Sequence, residues 1–170
     1  MELQIENDID EVEALTAWHE AGHATMAIIE GGFIEHVTLE PPNDDGPQRY
    51  GETITRWPTQ MSQIELLKSE ILVSLAGPVV EMLYTTDRQN IADVEEWKAD
   101  WIRAVASARS CTQSDYDAAK LIQHCETKIF TLFEVPKYWS AVSAIAEELL
   151  AHYTIEHEQI HDTFSFWQRR

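Results

Sequence analysis

A mainly helical α+β domain is what this sequence predicts, a helical bundle with one short β-hairpin set beside a buried helix. Three observations carry that expectation. Apolar residues recur at steps of three and four along most of the chain, a pair of short alternating segments occurs once, near the N-terminal third, and 44% of the residues are hydrophobic, as in a packed globular protein. At 170 residues the chain can bury one core and is short for two, so residues 1–170 are read as a single domain.

The first helix is predicted over residues 9–30, where Val12, Leu15, His19, Gly22, Met26 and Ile29 share one face. Asp8 and Asp10 supply caps and favourable charge at its start, and Gly31-Gly32 supplies a left-handed stop. Residues 34–40 and 50–57 alternate as strands, and the segment 41–47, rich in Pro, Asn, Asp and Gly, is their connecting loop. A second helix follows over 61–84 through Ile64, Leu67, Ile71, Leu75 and Val79, with Gly77-Pro78 expected to tighten or kink it.

A third helix is expected over 90–108 on the stripe Ile91, Val94, Trp97, Trp101 and Val105. A fourth is expected over 114–130, with Tyr116, Ala119, Ile122 and Ile129 inward, and two more close the chain at 138–153 and 155–166. No internal repeat, low-complexity tract or interdomain linker is present in the sequence.

Charge narrows the range of partners. Thirty acidic against twelve basic residues give a formal charge of -18, a field that repels phosphate backbones and anionic membrane surfaces, so neither nucleic acid nor membrane is an expected partner. The acidic clusters, such as 93–100 and Glu147-Glu148, fit the wet faces of helices. No run approaches the roughly 20 apolar residues of a membrane span, and the acidic N-terminus is not that of a signal peptide. Two cysteines, Cys111 and Cys125, make no disulfide framework, which points to a reducing compartment, the cytoplasm.

The chemistry is concentrated in His19-Glu20-Ala21-Gly22-His23, an HExxH string. On a helix, His19 and His23 project from one side a turn apart and can share a metal ion, with Glu20 beside them. Two neutral imidazoles then bind zinc, and the glutamate takes a proton from the water that the metal activates. Taken singly, a histidine on an inward stripe is more often a hydrogen-bonded core residue; two with a glutamate between them favour the metal. A second match, His157-Glu158-Gln159-Ile160-His161, lies among Thr154, Glu156, Gln159 and Asp162 and reads as a solvated helix face.

Around that string, Ala17-Trp18-His19-Glu20-Ala21-Gly22-His23-Ala24 resembles the peptidase domain of the FtsH-type ATP-dependent zinc metalloproteases. The likeness extends through His36-Val37-Thr38-Leu39-Glu40-Pro41, similar to the strand after that family's zinc helix. It continues through residues 63–81, ending Leu75-Ala76-Gly77-Pro78-Val79-Val80-Glu81, and more loosely through 142–160. Ser114-Asp115-Tyr116-Asp117-Ala118-Ala119 resembles the segment that presents the family's third ligand, which implies Asp115, with Glu81, Asp117 and His124 as the other candidates. By its residues alone Asp115 reads as a capping-box partner of Thr112 or a first-turn charge.

The resemblance implies a zincin-like fold with one Zn2+ on His19, His23 and Asp115, Glu20 as general base, and Glu81 orienting a zinc-bound histidine. Fe2+ and Mn2+ suit the same donors. The strand at 34–40 is the edge expected to receive an extended peptide. No Walker A string accompanies the domain, so peptides, loose segments or unfolded proteins are the expected substrates, with a homo-oligomer or a separate ATPase as the other candidate partners. Two other functions fit the same residues: a metal-stabilised adaptor without catalysis, and a zinc hydrolase of small amides. Cys111, four residues before Asp115, reads as a small buried hydrophobe, or else as a thiol neighbour of the metal.

Overall fold

The computed structural model describes residues 10–40 and 51–170; the cap expected at Asp8 and the loop at 41–47 lie outside them. Helix α1, Glu11–Ile29, begins where the Asp10 carboxylate accepts a hydrogen bond from the Val12 N–H and ends before Gly31, whose φ of 91° suits a residue without Cβ. Its stretch from Glu20 to Ala27 is buried on every side, not along one stripe, because α2, α5 and the sheet surround it.

Strands β1, Phe33–Thr38, and β2, Glu52–Arg56, form the expected antiparallel hairpin, with a register shift between Ile34 and His36. A third strand joins them. Residues 154–156, of which Ile155 and Glu156 were expected to open the last helix, form β3, which pairs with β1 at His36–Thr38 and gives the order β2-β1-β3. Strand β1 is therefore central and cannot be the free edge expected of it; among the described residues the edge strands are β2 and β3.

Helix α2, Gln63–Thr85, starts at a full capping box between Ser62 and Glu65 and continues as helix through Pro78. The helix expected over 90–108 is interrupted. Two 3-10 turns, Ile91–Asp93 and Glu95–Trp97, precede α3, Lys98–Ser110, with Val94 extended between them. The spacing of Ile91, Val94 and Trp97 explains the difference, since steps of three align side chains in a 3-10 turn but drift around an α-helix.

Helices α4, Asp115–Phe133, α5, Pro136–His152, and α6, His157–Gln168, complete the chain. The inner face of α4 is Ala118, Ile122, Cys125, Ile129 and Phe133, while Tyr116 and Ala119 are exposed, contrary to the stripe expected there. Among the described residues no helix is long and apolar enough to cross a membrane.

Candidate metal centre

Two close backbone approaches build the site. A Cβ on Gly22 of α1 would stand 2.8 Å from the Ala76 carbonyl oxygen of α2, and a Cβ on Gly77 would stand 2.6 Å from His23 Nε2 and 2.8 Å from His19 Nε2. Bare helix backbone at both positions lets α2 lie directly against the imidazoles. The ring nitrogens are then fixed by α2: His23 Nδ1 meets the Val73 carbonyl oxygen at 2.7 Å and His19 Nδ1 meets Glu81 Oε1 at 2.7 Å.

A carbonyl oxygen only accepts, so His23 Nδ1 carries the proton, and a carboxylate partner favours the same tautomer for His19. Both Nε2 lone pairs consequently aim at one place. The nitrogens are 2.9 Å apart, and Asp100 of α3 brings Oδ2 to 2.9 Å from His19 Nε2 and Oδ1 to 3.5 Å from His23 Nε2. Two lone pairs and a carboxylate repel one another unless a positive charge lies among them, so His19, His23 and Asp100 fit a divalent cation.

Without a metal, a proton takes that position. Burial pulls His19 down, but its hydrogen bonds to Asp100 and Glu81 outweigh burial and raise it to about 10. Burial likewise pushes Asp100 up, and the imidazoles of His23 and His19 overcome it, holding the carboxyl well below its usual range. Because His19 rises from 6.5 to about 10, its contribution to the metal-free fold is complete below about pH 6.5 and is lost as the pH climbs through about 10. A metal must displace this proton, so its affinity should rise by up to about tenfold per pH unit between roughly pH 7 and 9. Competition with a chromogenic chelator across that range measures the slope, and a flat profile would contradict the displacement.

The carboxylate that meets the two imidazoles is thus Asp100, not the Asp115 expected from the resemblance. Asp115 opens α4 on the surface, with its side chain 82% exposed and paired to Arg109 Nε at 3.0 Å, whereas the Asp100 side chain is 5% exposed. Asp117 serves the Ser114 cap of α4, and His124 is exposed. Glu81 stands where it was expected, against a histidine ring. Asp100 did carry a signal in the sequence, being a charge in line with Trp97, Ala104 and Ala108 on the inner face of α3. The larger Trp101 and Val105, both only half-buried, drew the predicted stripe one position away.

Glu20 lies beside these donors, 6% exposed, and Thr53 Oγ1 of β2 donates to its Oε2 at 2.7 Å. Donors and glutamate open into a cleft of about 860 Å³, lined on one side by Gly51 to Thr55 of the β2 segment and on the other by α3 residues from Ala99 to Ser107. Cys111 caps the end of α3 and does not line this cleft.

The second HExxH string has a different use. His161 Nε2 accepts the Ile34 N–H at 3.1 Å, where β1 runs on beyond β3, and its ring stacks on Phe33 at 4.9 Å. Burial lowers His161, in keeping with a neutral ring that accepts. His161→Ala should therefore cost about 1–3 kcal/mol by stranding a buried donor, read by urea unfolding, while metal content stays unchanged. Loss of metal in that variant would assign the string a role in the centre.

Gly77→Ala separates fold from site. Alanine favours a helix interior by about 1 kcal/mol over glycine, yet the added methyl enters the space of both Nε2 atoms. Metal affinity should drop more than about tenfold with helical content preserved, by chelator competition and circular dichroism. Full affinity would show that α2 can draw back.

Fold and donor set together define a mainly helical protein with a small antiparallel sheet and a two-histidine, one-carboxylate centre able to hold a cation. No family model matches the chain, and no curated protein matches it.

Proposed function

We propose that this chain is a metal-dependent peptidase of the zincin type, similar to the FtsH-type peptidase domain, that hydrolyses peptides or unfolded segments. One observation carries the reading: Glu20, a buried carboxylate outside the donor set, opens on the same cleft as the three donors and is held there by Thr53. A purely structural ion has no use for a carboxylate so placed.

In this reading His19, His23 and Asp100 hold the ion, zinc in the first instance, with Glu81 and the Val73 carbonyl fixing the rings. When bound, the metal supplies Lewis acidity to water and to the scissile carbonyl. Glu20 accepts the proton of the attacking water and later passes it to the departing amine. Among the described residues strand β2 is an edge of the sheet along the cleft, where an extended backbone can pair with little demand on sequence. Folded proteins present few such strands, which makes extended or unfolded chains the substrate class.

The test is cleavage of unfolded casein and a mixed peptide library by protein carrying one metal ion per chain. Stoichiometric metal with no cleavage of either would overturn the reading in favour of a non-catalytic metal-stabilised domain or a small-amide hydrolase.

A further inference from the structure

Among the described residues lining the cleft, Arg103 is the single Lys or Arg, set among Glu20, Glu52, Glu70, Glu96 and Asp100. Its position is specific. Nη2 donates to Asp100 Oδ1 at 2.6 Å, while the other oxygen of that carboxylate faces His19 Nε2 at 2.9 Å, so the guanidinium lies one carboxylate away from the metal position.

A guanidinium carries five N–H donors, and among the described residues Asp100 is the one partner they meet. The Arg103 side chain is 67% exposed and lines the cleft. Stability alone does not account for this arrangement. An ion pair with one exposed partner contributes little, and the charge of Asp100 already has two imidazoles and a cation position beside it. What the pair does provide is a cation anchored at one N–H on the wall of the cleft into which the three donors and Glu20 open.

We infer that Arg103 is a catalytic residue of the hydrolysis, donating hydrogen bonds to the substrate carbonyl oxygen as that oxygen becomes negative. This rests on the peptidase reading. The water oxygen bonds to the carbonyl carbon, its proton moves to Glu20, and the carbonyl π pair moves onto the oxygen facing Arg103. The carbonyl then re-forms as the C–N bond breaks and Glu20 returns the proton to the amine, so one water and one peptide bond are consumed. Because Asp100 fixes the guanidinium beforehand, little reorganisation is needed when the charge appears.

The experiment compares wild type, Arg103→Ala and Arg103→Lys, each loaded with zinc, in three measurements: kcat and KM on a cleaved peptide, zinc affinity by chelator competition, and the Kd of a phosphinic peptide mimicking the tetrahedral anion. Arg103→Ala should lower kcat about 100-fold with KM within a few-fold, weaken the phosphinic peptide about as much, and leave zinc affinity within a few-fold. Arg103→Lys should recover part of both losses, and millimolar guanidinium should partly rescue Arg103→Ala. A kcat loss that saturating zinc repairs would overturn the inference, reducing Arg103 to a positioning residue for Asp100. Unchanged kcat would overturn it outright. Should wild type cleave nothing, the peptidase reading falls, and an Arg103→Ala protein that binds the phosphinic peptide as tightly as wild type removes the inference on its own evidence.

Discussion

Glu20→Gln should abolish peptide hydrolysis, by about 10²-fold to 10⁴-fold in kcat, while the protein keeps one metal ion per chain. The amide is nearly the same size as the carboxylate and can still accept from Thr53 Oγ1, so the wall of the cleft survives. What disappears is the capacity to take up a proton. Glu20 is outside the donor set, so metal content measured by atomic absorption should be unaffected. Thr53→Val, which removes the hydroxyl but not the base, should fall between, about tenfold below wild type. Cleavage by Glu20→Gln at more than a tenth of the wild-type rate would end the assignment of Glu20 as base.

The second large effect separates two aspartates. Asp100→Ala should weaken metal binding at least about 100-fold, because two imidazole nitrogens alone leave a divalent cation short of a charged donor. Asp115→Ala should leave metal affinity unchanged and alter stability by less than about 0.5 kcal/mol, since it breaks only an exposed pair with Arg109. Chelator competition measures the first and urea unfolding the second. A metal-binding loss in Asp115→Ala, with Asp100→Ala intact, would mean that α3 and α4 contribute to the centre in a way opposite to the geometry described.

Local chemistry made part of this protein legible. The α1 boundaries follow from Asp10 and Gly31, the hairpin from two alternating segments, and the two imidazoles from four-residue spacing on a helix. Glu81, singled out through a resemblance to a known family, does lie against the His19 ring. All these features depend on neighbours within a few turns or on one well-marked motif.

Other features depend on contacts between distant segments. Asp100 sits in an acidic run that looks like a solvated helix face, and its place in line with the buried Trp97, Ala104 and Ala108 shows only once two 3-10 turns replace the start of the expected helix. A segment of three residues, too short to announce a strand, Thr154 to Glu156, pairs with β1 and so covers the edge expected of it, leaving β2 and β3 as the edge strands among the described residues.

The two HExxH strings show where the sequence stops. Each by itself determines a helix with two histidines on one side and a glutamate between them. Tertiary structure decides the rest: His19 and His23 lie under α2 and against Asp100, where converging lone pairs suit a cation, whereas His161 meets the Ile34 N–H and needs none. A metal site requires charges and lone pairs gathered from separate helices, and no local spacing can specify which of them will meet.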